Sequence, residues 1–113
     1  MPHTIQSAFN HQHIDQVSQF VSEYRFRLGM LDPEITVRLY RKLDSSVYFV
    51  EQSHYVSTPL QGSPYITSHP WNDSEAAAIK QVVSAMSEHY MAALGAGHKP
   101  DESWLTPNKQ FSR

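Results

Sequence analysis

Residues His54–Ser74 read HYVSTPLQGSPYITSHPWNDS, and the rest of the chain must be arranged around this stretch. No Asp, Glu, Lys or Arg occurs from Gln52 to Asn72, whereas three prolines and three aromatic residues do. Long loops in small domains are usually either functional or disordered. Disordered segments tend to be charged and poor in aromatic residues. The composition therefore predicts an ordered loop that packs against the fold and carries the function.

The residues before this loop predict a β-hairpin. Ile35, Val37 and Leu39 alternate with polar residues, as in a half-buried strand. A turn at 44–46 and a second strand over 47–57 follow. A lone hairpin is barely stable and has open edges. We therefore expect either a third strand near residues 64–68 or a sheet extended by a second copy of the chain. We favour a homo-oligomer (a dimer or higher), because Pro64 suits a strand poorly.

One helix is predicted on each side of the hairpin and loop. The first covers residues 11–28 and ends at Gly29 in a left-handed conformation. The second follows the loop, is capped by Asn72 with Glu75, and ends near Gly95. Each helix rests on an apolar stripe at helical spacing, formed in the first by Ile14, Val17, Phe20, Val21, Tyr24 and Leu28, and in the second by Ile79, Val82, Val83, Met86, Tyr90 and Leu94.

Together these elements predict a small α+β domain in the order helix, β-hairpin, long ordered loop, helix. A length of 113 residues suits one domain, which we place over residues 1–113. Residues 1–9 are expected to form a flexible lead-in. Residues 95–113 are expected to form an ordered tail, because Trp104, Leu105 and Phe111 are large apolar groups in a short segment.

Composition excludes several classes of function. The chain has no cysteine, which rules out disulfides, thiolate metal sites and cysteine nucleophiles. A net charge of −2 argues against general nucleic-acid binding, which needs a basic face. No signal peptide is recognisable, and no apolar run approaches the roughly 20 residues that span a bilayer. We therefore expect a soluble, cytoplasmic protein without membrane association.

Catalytic and metal motifs are missing from the sequence. The 7 histidines include no HxxxH or HExxH spacing, so neither a metal nor a cofactor is expected. No GxSxG or SxxK motif marks a serine nucleophile. His54 or His69 could serve a small hydrolase if a carboxylate from Glu51, Asp73 or Glu75 oriented it. On balance the sequence favours a protein that is not an enzyme.

Two kinds of binding protein remain. The favoured hypothesis is a non-enzymatic homo-oligomeric module whose 54–74 loop holds a small polar, nucleotide-like ligand. The alternative is a protein-interaction module, such as a small inhibitor or adaptor from a phage or mobile element. A concave loop favours the ligand, whereas an exposed, convex aromatic patch favours a protein partner. The predicted ligand-binding residues are His54, Tyr55, Thr58, Gln61, Tyr65, Ser68, His69, Trp71, Asn72 and Arg38.

Overall fold

The chain combines helix with antiparallel sheet, as the predicted α+β class requires. The structure is a computed structural model, and it describes residues 3–111. Four strands form one sheet in the order β1-β2-β3-β5, and β4 pairs with β6 in a second, two-stranded sheet. The elements are α1 Ile5–Ala8, β1 Ser18–Phe26, β2 Ile35–Lys42, β3 Tyr48–Gln52, β4 His54–Val56, β5 Trp71–Asn72, α2 Glu75–Gly95, a 3₁₀ turn Glu102–Trp104 and β6 Leu105–Pro107.

Strand β2 lies at the centre of the fold and confirms the predicted alternation. Ile35, Val37 and Leu39 are at most 1% exposed and point towards α2. The residues between them point to the opposite side of the sheet, because successive side chains of a strand alternate. We call these two sides of the four-stranded sheet the helix-facing side and the outer side.

The predicted helix over residues 11–28 is wrong. Residues Ser18–Phe26 form β1, which pairs antiparallel with β2 and contains a bulge between Phe20 and Ser22. Aromatic and β-branched residues are frequent in this segment, and they favour a strand when a partner strand is available. Gly29 does have a left-handed backbone, with φ +53, but it lies in the connection between β1 and β2.

Strand β1 also removes the reason given above for expecting a second copy, which was that a lone hairpin has open edges. The hairpin is flanked by β1 on one side and by β5 on the other, so it is not a lone hairpin. The fourth strand is Trp71–Asn72 rather than residues 64–68. The predicted strand over 47–57 is divided at the buried Ser53 into β3 and β4. Homo-oligomerisation stays a prediction, and it now needs a different argument.

Helix α2 covers the helix-facing side of the sheet. Its N-cap is Ser74, whose Oγ accepts a hydrogen bond from the Ala77 N–H, and not Asn72 as predicted. Its buried stripe is Ala78, Val82, Met86, Tyr90 and Ala93, which is shifted from the predicted stripe. Neither helix within residues 3–111 is long and apolar enough to span a membrane.

The segment after α2 packs back onto its own chain. Trp104 and Leu105 are 2% and 5% exposed, and the Trp104 ring stands edge-on to Tyr90 with centroids 5.7 Å apart. Strand β6 pairs with β4, with Tyr55 opposite Thr106. The segment after α2 therefore completes the core instead of hanging free.

The arm, as we call residues 3–17, contrasts with the rest of the chain. Residues 3–16 are all exposed, and α1 buries none of its side chains. The molecule measures 64 × 24 × 22 Å. Its longest helix, α2, has 21 residues and spans only about 32 Å at 1.5 Å per residue, so α2 does not account for the long dimension. Ile5 and Phe9 do not pack onto the body, since they are 69% and 42% exposed.

Candidate functional site

The outer side of the sheet carries one aromatic residue from each of its four strands. Phe20 of β1 is opposite Tyr40 of β2, Tyr40 is opposite Phe49 of β3, and Phe49 is opposite Trp71 of β5. Residues directly opposite in an antiparallel pair point to the same side of the sheet. The four side chains therefore form one continuous line across the sheet, which we call the aromatic row.

The ring geometry of the aromatic row shows contact at both ends. Phe20 and Tyr40 meet edge to face with centroids 5.9 Å apart, and Phe49 and Trp71 are 6.2 Å apart. These separations suit attractive aromatic pairs. Phe20 remains 54% exposed and Trp71 41% exposed, while Tyr40 and Phe49 are half-buried. The rings of the aromatic row thus contact one another at both ends of the row, and the two end rings remain open to solvent.

A row of charged residues lies next to the aromatic row on the same side. Arg38 Nε is 2.6 Å from Glu23 Oε1, and Arg38 Nη1 is 3.9 Å from Glu51 Oε1. The hydrogen bond from Arg38 holds the pKa of Glu23 below its ordinary value of 4.5 and raises the pKa of Arg38. Tyr40 Oη lies 3.4 Å from Glu51 Oε1 and joins the two rows. These charges are therefore matched within the sheet itself.

Two further side chains contact the rings of the aromatic row, namely Lys42 and His69. Lys42 Nζ lies 5.2 Å from the centroid of the Phe49 ring and 2.8 Å from Gln16 Oε1. The His69 ring stands edge-on to Trp71 at 5.0 Å. Cation–π and aromatic contacts of this kind fix the rings in place.

The part of the outer side that carries the charged row is covered by the segment after β6. The Phe111 ring lies 4.3 Å from the Arg38 guanidinium carbon, and Asn108 Nδ2 donates to the Gln52 carbonyl at 2.9 Å. A depression of about 380 Å³ remains beside Phe111 and is lined by Arg38 and His54. The outer side therefore has a covered charged half and an open aromatic half.

The predicted ligand-binding residues are spread over several places. Arg38 belongs to the charged row, and His54 Nδ1 lies 2.8 Å from Ser53 Oγ on β4. Tyr55 lines a second depression of about 320 Å³. Thr58 is buried, and its Oγ1 has no hydrogen-bond partner within the described chain. The Gln61 side chain bonds to the backbone of Thr58 and Val56, so it stabilises the loop.

The remaining predicted residues lie at the end of the loop. Tyr65 is 44% exposed and its ring lies 5.2 Å from that of His89 on α2. Ser68 and His69 are exposed, and Asn72 bonds to Gln81 of α2. Trp71 is the one predicted residue that belongs to the aromatic row, so the structure joins it to residues from other strands.

The space under the loop is small. Tyr65, Thr67 and Gln52 face Val82 and His89 across a cavity of about 20 Å³. Such a volume holds about one water molecule. Gln81 closes the end of the loop against α2, since its Nε2 donates to the His69 carbonyl at 2.9 Å. The loop is therefore packed onto the helix through side chains and does not form a deep pocket there.

The carboxylates considered for catalysis have other contacts. Glu51 lies with Arg38 and Tyr40, and Glu75 Oε2 is 3.5 Å from Ser22 Oγ. Across residues 3–111 no group of three or more His, Asp or Glu side chains could hold a metal ion.

Sequence reasoning missed three members of this surface, namely Phe20, Tyr40 and Phe49. Phe20 was assigned to a helix, so its strand pairing could not be considered. Tyr40 lies on the same side of β2 as the polar residues that alternate with Ile35, Val37 and Leu39, but the sequence does not show its neighbours across the sheet. The sequence signal that could have revealed the aromatic row is that each of the four strand segments contains at least one aromatic residue.

Comparison with models of known protein families, with curated proteins and with solved structures finds no match.

Proposed function

We propose that the chain is a non-enzymatic protein-interaction module that associates with further copies of itself through the aromatic row. The observation that carries this proposal is the exposure of the row. Phe20 is 54% exposed and Trp71 41% exposed, on strands that hold both rings in fixed positions. Aromatic residues grouped in this way are typical of the centres of protein interfaces.

The energetic argument is that the aromatic row is already ordered. Burying an exposed aromatic side chain is favourable by roughly 25 cal/mol per Å² of apolar surface. Side chains that are held by neighbouring rings lose little conformational entropy on binding. Less of the favourable free energy of burial is therefore offset by an entropic cost. A preformed row therefore supports association better than the same rings on a mobile loop would.

Charge favours a protein partner over nucleic acid. Glu23 and Glu51 lie beside the aromatic row and would repel phosphates, and the net charge of the chain is −2. The same side also presents Arg38 and Lys42. Because Arg38 is already paired with Glu23 and lies close to Glu51, a second copy placed on this side does not have to neutralise those charges. This composition supports self-association.

Replacing one exposed ring tests the proposal. We expect Phe20→Ser to weaken self-association at least tenfold, since hot-spot aromatic residues contribute about 2 kcal/mol or more. Sedimentation velocity over a range of protein concentrations measures the dissociation constant. Leu60→Ser is the matched control, because Leu60 is 52% exposed and lies in the 54–74 loop, outside the aromatic row.

Two results would contradict the proposal. One is a wild-type protein that stays monomeric at every accessible concentration. The other is a Phe20→Ser variant that associates as tightly as the wild type while Leu60→Ser weakens association. Binding of single-stranded nucleic acid to the wild-type protein, lost in Phe20→Ser, would assign the row to that ligand class instead.

The small-ligand hypothesis for the 54–74 loop stays a prediction. The depression of about 320 Å³ beside Tyr55, Ile66 and Thr67 is the place where such a ligand could lie. Native mass spectrometry of the purified protein tests it directly. A co-purified mass of a few hundred daltons would support the ligand, and a ligand-free spectrum would count against it.

A further inference from the structure

The arm has apolar side chains that its own body does not bury. Ile5 is 69% exposed, Phe9 is 42% exposed and Ile14 is 47% exposed. The arm and the β2–β3 turn enclose a depression of about 140 Å³ lined by Phe9 and Ile14, so their packing is loose. Three large apolar groups on one short projecting segment are unusual unless another surface covers them.

The local structure of the arm is nevertheless defined. Thr4 and Ser7 form a reciprocal capping box, with both bonds 3.0 Å long, and this fixes the single turn of α1. A helix of 4 residues is too short to be stable alone in water. Docking on a surface would supply the missing stabilisation.

The arm leaves the sheet next to the aromatic row. Its last residue, Val17, accepts a backbone hydrogen bond from Leu43 at 3.1 Å, and β1 then begins at Ser18, two residues before Phe20. Gln16 has φ +55, and among residues 3–111 it is the one residue other than glycine with positive φ. The backbone therefore turns sharply at Gln16, and the arm projects from the end of the sheet where the row lies.

We propose that the arm of one copy lies across the aromatic row of a second copy, so that two chains exchange arms. This inference rests on the self-association proposed above and names the segment that covers the row. In a symmetric dimer each chain gives its arm and receives its partner's arm, so the same contact is made twice.

The two surfaces match in chemistry. Residues 3–14, HTIQSAFNHQHI, contain no Asp, Glu, Lys or Arg. The aromatic row is likewise uncharged, so the contact buries no unpaired formal charge from either side.

The arm and the row together approach the area that a stable dimer needs. A fully exposed aromatic residue offers roughly 150–250 Å², so the partly exposed row offers on the order of 300 Å². The arm offers a similar apolar area by the same reasoning. One of these surfaces alone falls well short of the roughly 800 Å² per partner of a typical stable interface. An exchange uses the arm and the row of each chain together and approaches that value.

The absence of cysteine makes the arrangement directly measurable. Chains carrying Gln6→Cys in the arm are mixed with chains carrying Ser18→Cys, whose position pairs with Lys42 on the outer side. We expect a disulfide between the two kinds of chain under mild oxidation, detected by intact mass. Ser87→Cys replaces Ser18→Cys as the control, because Ser87 is exposed on α2 and should give at least tenfold less mixed disulfide.

A double-mutant cycle separates the arm from the row. We expect Phe9→Ser and Phe20→Ser each to weaken association about tenfold, and the combined variant to be only slightly weaker than either, since contacting residues are not additive. Both positions are exposed, at 42% and 54%, so neither change should unfold the chain. Thermal unfolding of each variant verifies this.

The outcomes distinguish the two proposals. If Phe20→Ser weakens association while Phe9→Ser does not, self-association through the row stands and the arm exchange is overturned. A disulfide that forms within one chain carrying both cysteines, and not between mixed chains, also overturns the exchange. A monomeric wild-type protein overturns both proposals.

Discussion

The two sides of the four-stranded sheet are formed by the same strands but differ in composition and in exposure to solvent. The helix-facing side presents aliphatic residues that are at most 1% exposed, such as Val37 and Leu39, and packs against α2. The outer side presents aromatic rings that remain up to 54% exposed and a row of mutually paired charges. The helix-facing side is therefore buried at its centre, with Tyr24 at its edge 48% exposed, whereas the outer side is only half covered.

This difference shows that aromatic content alone does not identify a core. The core of this chain is built mainly from aliphatic residues, with Tyr90 and Trp104 closing one end. Among the rings of the outer side, Phe111 covers the charged half, and nothing comparable within residues 3–111 buries Phe20 or Trp71. The comparison predicts that substitutions on the two sides will separate stability from association.

Leu39→Ala is expected to have the largest effect. Leu39 is 0% exposed on the helix-facing side, and truncating a buried leucine costs about 3–5 kcal/mol of unfolding free energy. That is a large fraction of the roughly 5–15 kcal/mol stability of a typical domain. Urea unfolding followed by circular dichroism measures the change. A loss below about 1 kcal/mol would mean that the two sides are not as different as their exposures indicate.

Gly29→Ala should have the next largest effect. The left-handed backbone costs a non-glycine residue about 1–2 kcal/mol, and overpacking adds about 1–3 kcal/mol. An added Cβ would overlap the Tyr90 ring, whose hydroxyl accepts a hydrogen bond from the Met30 N–H at 3.0 Å. Gly62→Ala is the control, because it meets nothing within 4 Å. Equal unfolding midpoints for the two variants would contradict this account.

Phe20→Ala should change stability much less than either Leu39→Ala or Gly29→Ala. The Phe20 ring is 54% exposed and contacts the Tyr40 ring. Such a cross-strand pair contributes about 0.2–1 kcal/mol to the free energy of unfolding. The same variant should lose self-association. A drop in stability as large as that of Leu39→Ala would show that Phe20 belongs to a core and would weaken the proposed function.

The smallest effect is expected from Glu23→Gln, and it should be present at neutral pH and disappear in acid. Because Arg38 lowers the pKa of Glu23, the folded state favours the carboxylate. Its contribution is complete above the ordinary value of 4.5 and is lost as the pH falls through the lower folded value. The variant should therefore flatten the loss of stability with falling pH in that range. Urea midpoints measured from neutrality into acid test this expectation.

A second carboxylate provides the comparison for this acid effect. Asp101 caps the turn Glu102–Trp104 by accepting from the Ser103 N–H at 3.0 Å, and its pKa is also lowered. Asp101→Asn should flatten a separate part of the acid slope, and the two changes should add because the groups do not touch. An unchanged slope in Glu23→Gln would mean that the ion pair with Arg38 has no stabilising effect in solution.

Local patterns predicted some elements correctly because their signals are contained in a few residues. The alternation of Ile35, Val37 and Leu39 identified β2, and the helix formers after Ser74 identified α2. The left-handed conformation of Gly29 was also correct. Each of these features depends on short-range backbone preferences or on period alone, so the sequence contains the necessary information.

Other features depend on pairing that a single segment does not encode. Phe20, Val21 and Tyr24 fit a helical stripe, yet they lie in a strand with a bulge that pairs with β2. The aromatic row requires the register of three strand pairs, and Phe49 meets Trp71 only after the whole 54–74 loop has closed. The site could therefore be anticipated at Trp71 but not at its neighbours.

The pairing of β4 with β6 has a consequence for the order of folding. Tyr55 is opposite Thr106, so this ladder joins segments from the middle of the chain and from beyond α2, whereas β1, β2 and β3 pair with their sequence neighbours. Distant pairing carries a larger loop-closure entropy and forms more slowly. We expect the three-stranded meander to appear early, and Trp104 to enter the core in the last step. Until then the hydrophobic surface of the nascent chain stays accessible to chaperones.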